Sequence, residues 1–412
     1  MAGAARRQAP RAVVVGGGIG GLTAAIALHR SGWRVTVLER ATSLEPVGAG
    51  IGLAPNSQRA LDVLGLGDRV RALSAWQGAG GVRAQNGRWL VRTTSAATER
   101  EFGGGLVSLH RATLVDLLVG ALPAECLRLG AEARLADPGG PCHRAVVATG
   151  AGDIEADLVV GADGIDSRVR AALFPAHPGP RYAGFTAWRL VVPAPRKPFE
   201  PHETWGRGGV WGTHPVKDGR VYAYATARVP QGSRAPDSEK AELERRFARW
   251  HDPIPEIIAG AAPADILRND VRHLIEPLPA HHRGRTALLG DAAHAMAPTL
   301  GQGGNQAIED AVVLAHHLAP DSDPFAGLAA YSAARVPRTT AIVRQSARTA
   351  RLNHLTGGAL LTLRDALLRT ACRIGPDLIT RGFATIADWR PPQPPYAAGT
   401  DAGAQERASA QR

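Results

Sequence analysis

The chain of 412 residues has only three cysteines, Cys126, Cys142 and Cys372, far apart and odd in number. They give no disulfide framework and no zinc-ligand spacing, so a reducing, cytoplasmic setting is expected and no metal site. The net charge of +11 is carried almost wholly by arginine, with no basic run longer than Arg6-Arg7 or Arg245-Arg246. Aromatics are scarce, at 5%, and none interleave with a basic patch. No nucleic-acid partner is expected; scattered charge leaves a mild attraction for anionic small molecules. Uncharged apolar runs of about 18 residues are missing, so no membrane span is expected. Met1–Pro10 lacks the apolar core of a signal peptide. No internal repeat is found, and the length favours two lobes over one core.

Glycine is plentiful, and it falls where apolar runs end. The run Thr286–Leu289 reads as a buried strand. It leads through Gly290-Asp291-Ala292-Ala293-His294 and Pro298 to Gly301-Gln302-Gly303-Gly304-Asn305. A helix is predicted from about Gln306, with apolar residues recurring from Ala307 to Leu318. Glu309 and Asp310 are expected in its first turn, complementing its positive end. A strand, a glycine turn and an open helix start suit a partly anionic ligand. The carboxylate of Asp291 means that the ligand also has hydroxyls to offer. His294 reads as structural.

A second such unit opens the chain. The strand Arg11–Val15 precedes Gly16-Gly17-Gly18-Ile19-Gly20-Gly21, then a helix over Leu22–Arg30 and a strand over Arg34–Leu38 ending at Glu39. Gly16, Gly18 and Gly21 fit G-x-G-x-x-G: a tight turn, a close approach for pyrophosphate, and helix packing on strand. Glu39, 18 residues after Gly21, stands where a carboxylate meets ribose hydroxyls. It favours an unphosphorylated ribose, as in FAD or NAD. Gly48 to Asn56 reads as a glycine loop close to a ligand, with Asn56 capping a helix through Leu64.

Farther on, Trp76–Glu101 reads as strands around Asn86-Gly87, and a helix runs from His110-Arg111 to Leu122. Arg144–Thr149 and Ile154–Val160 look like a hairpin leading into Asp163-Gly164. Tyr182–Val192 and Arg220–Arg228 belong to an antiparallel sheet with turns at Gly206–Gly209 and Asp218-Gly219, and Glu239–Trp250 is an amphipathic helix. Trp188, Trp205 and Trp211 fall here and suggest an apolar wall. Pro324–Trp389 is mostly helical, interrupted at Pro337 and Gly357-Gly358; its apolar stretch Leu355–Leu368 suits a core or interface helix.

The glycine fingerprint, Asp163-Gly164 and Gly290-Asp291, in that order, resemble the single-component FAD-dependent aromatic monooxygenases. This is the family of hydroxybenzoate, salicylate and urate hydroxylases and zeaxanthin epoxidases. Gly184-Phe185-Thr186-Ala187-Trp188-Arg189 and Arg335-Val336-Pro337-Arg338 look like the same branch. The resemblance implies an α/β fold: a Rossmann-like FAD-binding domain interrupted by a β-sheet substrate domain, with C-terminal helices. The FAD-binding domain would take residues 11–75, 106–178 and 273–345, and the substrate sheet 76–105 and 179–272. Helices would follow over 346–390, and 391–412 would form a disordered tail.

The resemblance also implies site residues. Gly16, Gly18, Gly20 and Gly21 would face the FAD pyrophosphate, Glu39 and Arg40 the adenosine ribose, and Gly50 and Ile51 the cofactor from the second glycine segment. Arg111 matches the family's FAD-contacting arginine. Asp163 would serve FAD and NAD(P)H, or cap a helix. Asp291 would hold the ribityl and diphosphate region, with Gly303, Gly304 and Asn305 at the flavin ring. FAD would be non-covalent and NAD(P)H a transient co-substrate. The implied reaction uses NAD(P)H and O2 to hydroxylate or epoxidise an aromatic or polycyclic small molecule through a flavin hydroperoxide. The alternatives are a dehydrogenase or reductase of the same fold that does not use O2, and a non-catalytic flavin carrier. Trp188, Arg189, Trp211, Tyr222 and Tyr224, with His214, lie on the presumed substrate sheet, where alternation puts both tyrosines on one face. No catalytic base is identified. The arginine of urate hydroxylases is replaced by Gly209-Val210-Trp211-Gly212, so an apolar aromatic or polycyclic metabolite suits this wall better. Oligomeric state is left open.

Overall fold

The first strand, Arg11–Val15, is almost wholly buried because it lies in the middle of a sheet covered on both faces. The structure is a computed structural model and describes residues 9–44, 50–74, 80–93, 104–217, 219–374 and 384–392. Six strands run in the order His282–Arg283, Thr286–Leu288, Leu158–Gly161, Arg11–Val15, Arg34–Leu38, Leu127–Arg128. All pairings are parallel except the first. The register sets Val13 beside Val159 and Thr36. The helix Ile19–Arg30 returns over this sheet, packing with Gly303–His317 around Leu22, Ile26, Ile308 and Val312. The opposite face carries a second apolar cluster, including Val13, Val159, Leu173 and Leu288.

A three-stranded antiparallel sheet, Ala133–Asp137, Ala145–Thr149 and Gly152–Ala156, flanks this domain. The expected hairpin therefore closes at Ala156, and Leu158–Gly161 joins the parallel sheet instead. The second glycine segment is a strand rather than a loop: Gly50–Leu53 pairs with Val107–His110. The following helix, Pro55–Val63, starts at proline with Ala54 as its cap, so Asn56 is no cap. Its side chain points inward, donating to Glu309 at 2.6 Å and Gln302 at 3.1 Å.

The second large sheet has seven strands, Leu267–His273, Arg181–Pro193, Arg220–Ala227, Gly209–Val216, His202–Trp205, Gly80–Ala84 and Trp89–Thr93. One face is sealed by the helices Glu239–Phe247 and Ile254–Ala259 over Trp188, Leu190, Trp211, Ala223 and Ala225. The helix Pro324–Asn353 runs straight through Pro337, where an interruption was expected. Gly358–Ile374 follows, but Leu360, Leu363 and Leu367 are exposed, so this stretch is not core within the chain. Gly48, Ala49, Trp76, Asp218 and the tail from 393 lie outside the described residues. Among the described residues, no helix is long and apolar enough to cross a membrane.

Candidate active site

The parallel sheet brings three strand ends together. Gly16 follows the first strand with φ of 110°, and a Cβ there would run into the Ala162 carbonyl. At Gly21 a Cβ would strike the Gly16 carbonyl, so this glycine lets helix approach strand. Gly20 packs between Leu289 and Ala307, joining the helix to the Gly290 segment. Gly18 differs: a Cβ there would meet no protein atom within 4 Å. Only Gly18 of these four presents backbone to open space, as a pyrophosphate requires. Glu39 stands over this turn, accepting from the Gly17 N–H at 2.7 Å and the Ala41 N–H at 2.9 Å. Arg40 is exposed beside it.

The helix Gly303–His317 begins three residues earlier than predicted, so the amides of Gly303, Gly304 and Asn305 are its unpaired first turn. Asn305 is fully buried and fastens this turn to the second glycine segment. Its side-chain amide donates to Gly52 O at 3.0 Å and Gly301 O at 2.6 Å, and its oxygen accepts from Ala54 N at 2.9 Å. Ile51 lies under Gly304, where a Cβ would sit 2.9 Å from its Cδ1.

Glu309 and Asp310 are not at the helix mouth. Both are completely buried behind it, against Arg335. Arg335 donates to Asp310 and Glu309 at 2.6 Å each, and Arg338 grips Glu309 with two bonds of 2.8 Å. Asp310 also receives the Gly290 N–H at 2.9 Å and meets His294 Nε2 at 2.5 Å. Burial opposes ionisation of Asp310, but His294 and Arg335 outweigh it and hold the carboxyl far below its ordinary range. This network sets the backbone of Gly290, and hence the place of Asp291.

Asp291 is walled in by protein yet open to the cleft. Burial raises its pKa, and His294, Arg111, Arg189 and Arg170 work against that rise. Arg111 is the first residue of the helix Arg111–Val119. Its pKa is lowered by burial and then by the cation of Arg189, while Asp291 raises it. Among the described residues, neither the Arg111 nor the Arg189 guanidinium has a hydrogen-bonding or ion-pair partner. The structure thus brings Arg189, from the large sheet, to the same cleft as Arg111 and Asp291. Asp163 shows the capping arrangement, accepting from Ser167 Oγ at 2.5 Å, Arg168 N at 2.7 Å and Val169 N at 3.1 Å. Arg170, given no role from sequence, ties that segment to the next by bonds to Ile165 O and Ala292 O.

The large sheet presents its other face to the cleft. Trp188 and Trp211, expected to line the pocket, turn away from it. Trp188 donates to Glu239 at 2.7 Å and Trp211 to Thr213 at 3.0 Å, both within the core under the helices. Strand alternation puts Arg189, Tyr222 and Tyr224 on the opposite side. Tyr222 packs on Gly50, where no Cβ could fit. Tyr224 packs over Gly212, so a larger residue there would displace that ring. His214 stacks on Tyr224 with centroids 5.7 Å apart. Sequence reasoning missed Glu203, which accepts the Tyr224 hydroxyl and the Trp205 indole N–H, the latter at 2.8 Å. Burial raises the pKa of Glu203 despite both bonds, and lowers that of His214 to about 4. A carboxylate two residues before a strand tryptophan was the available signal, but its partner lies 21 residues away.

A parallel sheet with a dinucleotide-type glycine turn, closed by a largely antiparallel sheet with a polar inner face, is the architecture of a dinucleotide-dependent oxidoreductase. Comparison with known proteins narrows this class. The chain belongs to the FAD binding domain family, whose model matches residues 10–346. An aurachin C monooxygenase/isomerase of Stigmatella aurantiaca is 36% identical over 372 residues, 90% of this chain and 96% of the relative. A 3-amino-4-hydroxybenzoate 2-monooxygenase of Streptomyces platensis is 38% identical over 390 residues, covering 91% and 96%. Among solved structures, HpxO of Klebsiella pneumoniae complexed with FAD and uric acid superposes with a TM-score of 0.83. It is 28% identical, with 92% of this chain and 97% of that one covered. The chain is therefore an FAD-dependent monooxygenase, with NAD(P)H as the co-substrate typical of the family. These relatives do not support the dehydrogenase alternative.

Proposed function

We propose that the protein oxygenates an aromatic small molecule that carries a ring hydroxyl or N–H, with the cluster on the large sheet as its substrate site. The observation that carries this is the seat of Tyr222 on Gly50, which joins the polar sheet face to the cofactor segment. Gly18, the open amides of Gly303 to Asn305, and Asp291 fit FAD: a bare backbone for pyrophosphate, a helix start for the electron-rich flavin edge, and a carboxylate for hydroxyls. Glu39, over the Gly17 turn, offers a carboxylate to the ribose hydroxyls. Bound there, FAD supplies two-electron exchange with the nicotinamide and activation of O2.

The chain's own residues bind and orient the substrate. Because the Tyr224 hydroxyl donates to Glu203, its oxygen lone pairs are left to accept a hydrogen from the substrate. His214, kept neutral at pH 7 by burial, can exchange one more hydrogen bond. Arg189 and Arg111 attract a phenolate or carboxylate and make the cleft positive around Asp291. The sealed helix side of the sheet keeps water from entering from behind. The activities named for relatives, on 3-amino-4-hydroxybenzoate and 3-hydroxybenzoate, support a hydrogen-bonding aromatic over a purely apolar one. Three free thiols, at Cys126, Cys142 and Cys372, fit a cytoplasmic setting. The test is a screen of phenols, aminophenols and quinolones for faster NAD(P)H oxidation by the purified flavoprotein, followed by mass spectrometry with labelled O2. Label in the product supports the reading; stimulated oxidation that yields peroxide alone for every compound refutes it.

A further inference from the structure

A second basin lies outside the cleft, and none of its lining residues belongs to the site above. It encloses about 340 Å³ between the start of the Arg181–Pro193 strand, the end of the Pro324–Asn353 helix and Ala297. Among the described residues, no carboxylate lines it. Arg228 and Arg351 are exposed on its wall, and among the described residues neither guanidinium has a hydrogen-bonding or ion-pair partner. His273 lines it too, with a buried Nδ1 that has no hydrogen-bond partner. The two acids nearest in sequence to His273 are spent elsewhere: Asp270 accepts from Thr186 Oγ1 at 2.8 Å and Gly232 N at 2.7 Å and pairs with Arg268, and Glu276 pairs with Arg181.

The floor has a different character. Phe185 and His354 lie ring on ring, 4.5 Å apart and tilted by 31°, among Ala297, Ala347 and Ala350. His354 has both nitrogens engaged, with Ala350 O and Thr226 Oγ1, so it serves as a fixed flat wall. Gly184 has φ of 88° and no protein atom near its missing Cβ, so backbone is open to a ligand there. Two arginines over an apolar aromatic floor suit a phosphorylated heterocycle. Among the described residues a single parallel sheet is built for a dinucleotide, and FAD takes it, so the reducing nucleotide needs another seat. Ala297 in this floor directly precedes Pro298, which begins the turn leading to the flavin segment.

We propose that this basin holds the phosphate groups of the pyridine nucleotide while its nicotinamide end reaches the flavin. The proposal rests on NAD(P)H being the reductant. It is tested with the FAD-loaded enzyme and oxidised NADP⁺, by calorimetric titration. In the double variant Arg228→Glu, Arg351→Glu, NADP⁺ affinity should fall roughly tenfold or more, the loss expected for charged hydrogen bonds. Inorganic pyrophosphate should compete with NADP⁺ on the wild type and not on the variant. His273→Leu, which leaves the rim charges in place, should weaken NADP⁺ by a smaller factor. Flavin reduced by light instead of nucleotide should still support oxygenation in the variant, which separates failure of this site from failure of the monooxygenase reading. Unchanged NADP⁺ affinity in a folded, FAD-loaded double variant overturns the proposal, as does pyrophosphate binding that leaves NADP⁺ undisturbed. If the double variant does not fold, Arg351→Ala alone is read by the same titration.

Discussion

Gly18 and Gly21 are two glycines of one motif with opposite duties, and the difference is a matter of what a single methyl group would touch. At Gly21 it would strike backbone; at Gly18 it would meet only the space in front of the turn. Gly18 also has ordinary extended dihedrals, so alanine fits it without strain. Gly18→Ala should therefore leave the melting temperature of the apoprotein unchanged while weakening FAD by about 1–3 kcal/mol, the usual cost of forcing a methyl into a close contact. A fall in apoprotein stability would mean that Gly18 serves packing after all. The motif spacing made this turn legible in the sequence, because strand, glycines and Glu39 lie within 30 residues. Glu203 was not legible. Its role depends on a tyrosine from a strand that pairs two places away in the sheet, and no local pattern announces such a partner. The same holds for Trp188 and Trp211. Alternation says which residues share a face, but not which face meets helices and which meets the cofactor.

The helix Gly303–His317 shows why element boundaries and charge roles are harder to read than element existence. Its apolar spacing was plain, yet Glu309 and Asp310 belong to a buried ion network whose cations lie 25 or more residues on, at Arg335 and Arg338. Removing one partner of such a network strands the other. Arg335→Met should cost roughly 3–5 kcal/mol by leaving two carboxylates buried and short of partners. Arg245→Ala, which removes the exposed pairs with Asp237 and Glu242, should cost far less, because water screens both. Urea titration of the two variants gives the contrast, and equal losses would show that the network is not what fixes the helix. Behind the same helix, burial and the neighbouring His294 hold the pKa of His281 down to about 3. Between pH 6.5 and about 3 the unfolded chain takes up a proton that folded His281 refuses. Stability from this residue is thus complete above about 6.5 and declines with falling pH, by up to about 1.4 kcal/mol per pH unit. Thermal melts at several pH values should show a flatter acid limb for His281→Leu than for the parent.

At the scale of the whole molecule, the proposed active site is a seam. One wall is the parallel-sheet domain with its glycine turns, the other is the inner face of the seven-stranded sheet, and Tyr222 against Gly50 is one place where they touch. The two walls differ in what stands behind them. Trp211, on the far face of the sheet, can change without disturbing the seam, so Trp211→Phe should lower stability and leave the Michaelis constants near those of the parent. Gly50→Ala should do the reverse. Its new methyl would press on the Tyr222 ring, and the contact can be relieved only by moving the ring or by parting strand and sheet. Moving the ring alters the substrate site, whereas parting the walls also loosens the segment beside the flavin turn that Asn305 holds through Gly52. Both FAD affinity and substrate KM should therefore worsen together in Gly50→Ala, by an overpacking cost of about 1–3 kcal/mol spread over the two. A compensating Tyr222→Ala, which makes room for the methyl, should restore FAD affinity but not substrate binding. Titrations of FAD and substrate across the single and double variants give the coupling between the walls. If FAD affinity in Gly50→Ala matches that of the parent while substrate KM alone rises, the walls move independently, and the cleft is two adjoining sites instead of one.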